Sequence, residues 1–269
     1  MRHRWSRDTA GTVLFIPGFQ DTAAVWDGVI VRLRAPRWCA HAVNLRHVDE
    51  AEPGRRGAIL EGYRDQVLDV LDDIDSPAHR PVVVVGHSMG AQVGELVAAA
   101  RPIAAVGLAL IAPIPLSGYA LTPTQSARFH RVAQDRNAAA VAAGRRALLV
   151  NDSVPVVRAL VSATLATPPV TAAQELDAWT TGHPLGDQPS SVSAPVLLIG
   201  SADTFASTEL IRDVVVPRFA DVHTAHVAGA GHWPHVEHPA AVAQILRKFL
   251  TRLARTSAPD HPHPERTRK

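Results

Sequence analysis

The sequence predicts an α/β fold, a mostly parallel central sheet flanked by helices, from three observations. Short apolar runs rich in β-branched residues alternate with segments of helical periodicity in both the first and the last part of the chain. One strand-to-helix junction holds Gly86-His87-Ser88-Met89-Gly90, a G-x-S-x-G pattern. Between the two alternating stretches, residues 113–193 read as helix after helix.

In chain order, residues 12–16 (TVLFI) form a first strand, closed by Pro17-Gly18-Phe19. Residues 23–34 carry Val25, Trp26, Ile30 and Leu33 at helical spacing. A strand over 38–45 leads into a polar loop at 46–57 and a strongly amphipathic helix at 58–74. Pro81 to Val85 has the continuous apolar character of a strand buried on both faces. The pattern turns helical from Ala91, with Val93, Leu96, Val97 and Ala100 on one side, and 105–111 is the next strand. Short helices at 122–135, 137–150, 154–166 and 171–181 then break the alternation, as a lid over an active-site edge would. It resumes with a strand at 195–200, a helix at 208–216, a strand at 221–227 and a helix at 239–252 that begins well with Pro239. The expected division is a core of 1–112 and 194–253, a helical lid of 113–193 and a disordered polar tail of 254–269.

Of the 269 residues, 46% are hydrophobic, enough for a sizeable core. The single cysteine, Cys39, excludes an intrachain disulfide and reads as a small hydrophobe beside a strand. The N-terminal stretch lacks the apolar core of a signal peptide, and no apolar run approaches membrane-spanning length. A soluble, cytoplasmic protein with no membrane partner is expected. The net charge of +2 resides in the tail, where Arg255, Arg266, Arg268 and Lys269 outweigh Asp260 and Glu265. No basic stripe with interleaved aromatics suggests a nucleic-acid partner. His261 and His263 read as solvated tail residues, and neither metal nor cofactor is expected.

A serine on a sharp strand-to-helix turn is held in a strained conformation, so close neighbours must lack side chains, as Gly86 and Gly90 do. The turn lifts Oγ above the sheet edge, where a helix N-terminus favours developing negative charge. Ser88 needs a base, and the base an orienting group. In a parallel sheet the carboxyl ends of the strands converge on one edge. Asp203 follows the 195–200 strand, and His232 sits in the Gly-rich loop after the last strand. Asp221 begins its strand, at the wrong edge; His223 and His226 lie within it, and His235 and His238 lie beyond the loop. An oxyanion hole needs two backbone N–H donors. Met89 supplies one. The other falls to the loop after TVLFI, where Gly18 permits close approach: Phe19, with Gln20 as second candidate. Gln20, His87 and Trp233 are expected along the substrate pocket.

Four stretches, VLFIPGFQDTAAVW, VVVVGHSMG, PVLLIGSAD and GAGHWPHVEHP, resemble the α/β-hydrolase fold superfamily, specifically its lidded serine esterase, lactonase and haloperoxidase-like group. The resemblance implies Ser88 as nucleophile, His232 as base, Asp203 as orienter, and Phe19 and Met89 as oxyanion donors. The chain departs from that family in carrying Pro17-Gly18 for the common His-Gly. It also carries Asn44-Leu45-Arg46-His47 for the common Asp-x-x-Gly, so Asn44 and His47 are expected to reshape the pocket. The few residues before the first strand imply a shortened or missing leading hairpin. Acyl transfer on a small, largely apolar carboxylic ester or lactone is the expected reaction. The rivals are a C–C bond hydrolase for vinylogous diketones, a haloperoxidase or cofactor-free dioxygenase on the same scaffold, and a non-catalytic ligand receptor. Phe129 and Trp179 read as the core of the lid more readily than as ligand contacts.

Overall fold

The computed structural model describes residues 11–49, 52, 54–74, 81–134 and 136–256. The expected hairpin shortening before residue 11, and the tail histidines His261 and His263, lie outside them. Six strands form one sheet: β1 (Gly11–Ile16), β2 (Trp38–Ala42), β3 (Val82–His87), β4 (Ala105–Ile111), β5 (Val196–Ser201) and β6 (Val222–Val227). Their order is β2-β1-β3-β4-β5-β6, and every neighbouring pair is parallel. The chain leaves β1 toward one side for β2, then returns to place β3 on the other. Such a reversal opens a crevice at the carboxyl ends of the two strands it separates.

The unbroken apolar runs are explained by cover on both faces. Val82 and Val84 enter one hydrophobic core with Tyr63, Val67, Leu96 and Val97, under α2 (Ala58–Ile74) and α3 (Met89–Ala100). Val83 and Val85 point the other way, joining Phe15, Trp26, Leu246 and Phe249 under α1 (Asp27–Leu33) and α10 (Pro239–Thr256). Neither face is left to solvent, so period-two alternation has no reason to arise.

Between β4 and β5 the chain forms α4 (Pro123–Gln134), α5 (Ala138–Arg146), α6 (Val154–Ala166) and α7 (Pro169–Thr181). Asn137 caps α5 by accepting the N–H groups of Ala139 and Ala140, and prolines stand in the first turns of α6 and α7. Pro169 starts α7 two residues earlier than the periodicity suggests.

Other boundaries also moved. β2 ends at Ala42, opposite Phe15 near the end of β1, and past Val43 the Asn44 side chain accepts the Ala23 N–H at 2.7 Å. The helix expected at 208–216 is α8 (Thr208–Leu210), a π turn at Ile211–Val215 and a 3₁₀ turn at Val216–Arg218. This irregularity surrounds Pro217, which has no N–H to donate. A one-turn helix, α9 (Pro234–Glu237), follows the last loop without a periodic signal to announce it, and α10 runs on to Thr256. Among the described residues, no single helix is long and apolar enough to cross a membrane.

The elbow rests on backbone packed against backbone. A Cβ added to Gly86 would lie 2.1 Å from the Gly90 carbonyl oxygen and 2.8 Å from the Ala91 Cα. Neither neighbour is a side chain that can rotate away. Gly86→Ala is therefore expected to lower stability by about 3 kcal/mol or more, read from urea denaturation.

Candidate active site

Ser88 stands between β3 and α3 with φ 53° and ψ −118°. That left-handed φ is one a side-chain-bearing residue rarely adopts. It persists because α3 starts hard against the sheet: a Cβ on Gly90 would sit 2.4 Å from the Pro17 carbonyl oxygen. His232 lies in the loop after β6, with Nε2 3.0 Å from Ser88 Oγ. Its Nδ1 is 2.6 Å from Asp203 Oδ2, in the loop after β5. All three side chains are buried.

Each of these loops is fastened. Asp203 accepts backbone N–H bonds from Phe205 at 2.8 Å and Ala206 at 3.0 Å. Burial alone would raise its carboxyl pKa, but His232 and these donors prevail and hold it at about 2. Ser201 Oγ donates to the Gly231 carbonyl at 2.7 Å, and His87 Nε2 donates to the His232 carbonyl at 2.7 Å. Glu237 accepts the N–H groups of Gly231, Val150 and Asn151, while the His232 N–H donates to the Leu148 carbonyl at 2.8 Å. The His232 loop is thus tied to the α5–α6 connection as firmly as to the sheet.

Behind the site lies a buried charged network. Asp21 Oδ2 accepts Trp233 Nε1–H at 2.9 Å and lies 3.6 Å from His87 Nδ1. Its Oδ1 is 3.4 Å from the Arg145 guanidinium. Arg145 also donates to Thr164 Oγ1 and lies 4.6 Å over the Trp233 ring. Burial opposes ionisation of Asp21, but Arg145, His87 and Trp233 together hold its carboxyl below the usual range. Burial pushes the His87 imidazole pKa down, against the pull of Asp21. His235 is stacked on Trp26 at 4.2 Å, and burial followed by its histidine neighbours drives its pKa well down. Glu175 of α7 accepts the Gln20 N–H at 2.7 Å. Burial, with Asp21 adding to it against the Gln20 N–H and Arg145, lifts the Glu175 carboxyl to about 8.

The cavity over Ser88 has a volume of about 430 Å³. Its apolar side is formed by the rings of Phe19, Tyr119, Phe129, Trp179 and Phe205, whose neighbouring centroids lie between 4.9 and 6.2 Å apart. Gln20, His87 and Trp233 line it, and Phe129 and Trp179 face it as well as packing in the helical insertion. Asn44 and His47 do not. Asn44 is engaged with Ala23, and His47 lies 3.9 Å from exposed Asp49. Gln20 is excluded as second oxyanion donor, since Glu175 already takes its N–H. Among the described residues, no group of side chains could hold a metal ion.

Residues 13–245 match the model of the Alpha/beta hydrolase family. The chain belongs to the α/β-hydrolase family. Among curated relatives, Esterase YbfF of Escherichia coli (strain K12) is 36% identical over 56 residues, 21% of this chain and 22% of that protein. The match therefore spans about a fifth of that relative's length. A thermophilic esterase from Thermogutta terrifontis superposes with a TM-score of 0.72 at 21% identity, covering 91% of each chain. A bromoperoxidase from Bacillus anthracis does so at 0.77 and 14% identity, covering 90% of this chain and 92% of that one. At these identities the superpositions speak for a common fold.

Sequence reasoning missed Asp21, Arg145 and Glu175 in this α/β-hydrolase. Asp21 follows Phe19 closely enough to have been flagged. Arg145 and Glu175 carry no local signal: each is one charge on a helix, and the loop they meet, at Phe19 to Asp21, lies more than a hundred residues away.

The raised Glu175 carboxyl has a pH consequence. Between the ordinary carboxyl value of 4.5 and about 8, the folded chain binds a proton there that the unfolded chain has released. Stability from this group is therefore complete at low pH and declines as pH rises through that window. Glu175→Gln removes the dependence, so its melting temperature should rise relative to wild type from about pH 5 to about pH 9 in a thermal denaturation series.

Proposed function

We propose that this chain hydrolyses a small, largely apolar carboxylic ester or lactone through an acyl-enzyme on Ser88. The observation that carries the reading is the continuous hydrogen-bonded line from Ser88 Oγ through His232 to Asp203, at the floor of an aromatic-lined cavity. His232 accepts the Ser88 hydroxyl proton as Oγ bonds to the substrate carbonyl carbon. The carbonyl oxygen takes up the negative charge, facing the N–H groups of Phe19 and Met89. The Gly18–Phe19 peptide supports that role: the Gly18 carbonyl accepts the Asp21 N–H at 3.1 Å, which leaves the Phe19 N–H directed the opposite way. Met89 opens α3, so its N–H has no carbonyl one turn back within the helix.

Collapse of the tetrahedral intermediate breaks the carbon–oxygen bond to the leaving alcohol, which takes the proton from His232. Water then repeats the sequence: His232 removes its proton, the acyl carbon is attacked, and Ser88 recovers its hydrogen. Asp203, already ionised, holds Nδ1–H and stabilises the imidazolium formed at each stage. The ring-lined cavity favours an apolar acyl or alcohol portion. The helical insertion, which supplies Phe129, Arg145, Leu148 and Trp179 to the lining, acts as the lid over it.

A fluorophosphonate probe should label wild type and leave Ser88→Ala unlabelled; an unlabelled wild type would favour a binding module. Hydrolysis of p-nitrophenyl acetate, butyrate and octanoate should fall about 10⁴-fold or more in Ser88→Ala. Turnover of a ring-fission diketone alone, with none of the esters or a lactone panel, would replace this reading with C–C bond hydrolysis.

A further inference from the structure

The loop after β1 makes a tight turn, in which the Asp21 N–H donates to the Gly18 carbonyl at 3.1 Å. Phe19 and Gln20 are its two central residues. Gln20 has φ 53°, a value that turns of this shape normally give to glycine or asparagine. A glutamine held there costs on the order of 1–3 kcal/mol of local strain, which the surroundings must offset. Its relaxed alternative is a turn with the central peptide group flipped. That flip would carry the Phe19 carbonyl and the Gln20 N–H to opposite sides; the Phe19 N–H, on the preceding peptide, would be displaced only as the loop beside Ser88 settles around the new shape.

Both peptide groups around Gln20 are gripped from the helical insertion. The Gln20 N–H donates to Glu175 Oε2 at 2.7 Å. The Gln20 carbonyl accepts from the Arg145 guanidinium at 2.9 Å, and the Phe19 carbonyl faces the same nitrogen at 3.4 Å. Glu175 and Arg145 are themselves buried, with 2% and 7% of their surface exposed. Arg145 is fixed by Thr164 at 2.9 and 2.6 Å and by Asp21 at 3.4 Å. Two buried ionisable groups are costly to place far from water, and hydrophobic side chains would fill their space more cheaply. What they provide here is an acceptor and a donor on opposite ends of one strained turn.

We infer that Glu175 and Arg145 are positioning residues, which hold the Phe19–Gln20 turn in the shape that aims the Phe19 N–H at the reacting carbonyl oxygen. This rests on the reading of Phe19 as an oxyanion donor. The insertion therefore acts on the chemical step as well as on the pocket.

Glu175→Leu removes the acceptor at similar volume. It should lower kcat for p-nitrophenyl butyrate by about tenfold or more, short of the roughly 10²–10³-fold loss of an entire donor, while KM stays within about threefold. Binding of a phenylboronic acid, which forms a tetrahedral adduct with the serine, should weaken in parallel. Glu175→Gln keeps an acceptor oxygen and should recover most of the kcat. In a Gln20→Gly background, where the positive φ carries no strain, the cost of Glu175→Leu should shrink to about threefold or less. An equal cost in both backgrounds, or a loss confined to KM, overturns the inference. If Glu175→Leu does not fold, Glu175→Ala, which cannot clash, takes its place with the same readouts. Amide hydrogen exchange at Gln20, followed by NMR, needs no turnover: it should be slow in wild type and accelerated in Glu175→Leu. Unaltered exchange refutes the grip whatever the activity. Accelerated exchange in a chain whose wild type hydrolyses no ester refutes the proposed reaction instead.

Discussion

The structure depends on a backbone constraint at one residue. Ser88 is held at φ 53° because β3 must turn into α3 with the helix start pressed against the end of β1. Strain of this kind costs on the order of 1–3 kcal/mol and persists only where the surroundings over-determine it. Here they do so through a central strand buried on both faces and two glycines at which backbone meets backbone. The same geometry that strains the serine lifts its hydroxyl out of the sheet and sets it at the head of a helix. Structure and chemistry draw on one feature.

Around that point, three loops from different strands must agree to within fractions of an ångström, and a buried charge coordinates them. Asp21 belongs to the loop after β1, meets Trp233 from the loop after β6, and lies beside His87 of the elbow. An isolated carboxylate at this depth would be very costly. Arg145, reaching in from α5, makes it tenable. The polar core is therefore shared between the sheet and the insertion: remove either side and an unpaired buried charge remains.

The sheet was legible because its code is local. Runs such as TVLFI and PVVVV specify strands by their own composition, and Gly86 and Gly90 mark the elbow within five residues. Ser88, Asp203 and His232 could be proposed together because a parallel sheet converts chain order into spatial convergence. The length of β2 was not legible, because it is set by where its neighbour β1 ends, and the apolar run of β2 itself continues to Leu45. Nor was the break at 208–218, which depends on Pro217 in a segment whose apolar spacing still looks helical. Arg145 and Glu175 were out of reach for a deeper reason. Both meet backbone atoms around Gln20, and a peptide group leaves no trace of its partner in the side-chain sequence.

α7 shows why the insertion is not a free cover. Glu175 and Trp179 lie one helical turn apart, hence on one face. Glu175 grips the Gln20 N–H, while Trp179 packs on Phe19 with ring centroids 6.0 Å apart and lines the cavity. A shift of α7 that widened the cavity at Trp179 would therefore also pull on the turn beside Ser88. Phe129 of α4 adds its ring to the wall and makes no hydrogen bond in the Glu175–Arg145 grip, yet it packs on Phe19 at 6.1 Å and on Trp179 at 5.3 Å. Pocket shape and the turn beside Ser88 are joined most directly along α7, which supplies both Glu175 and Trp179.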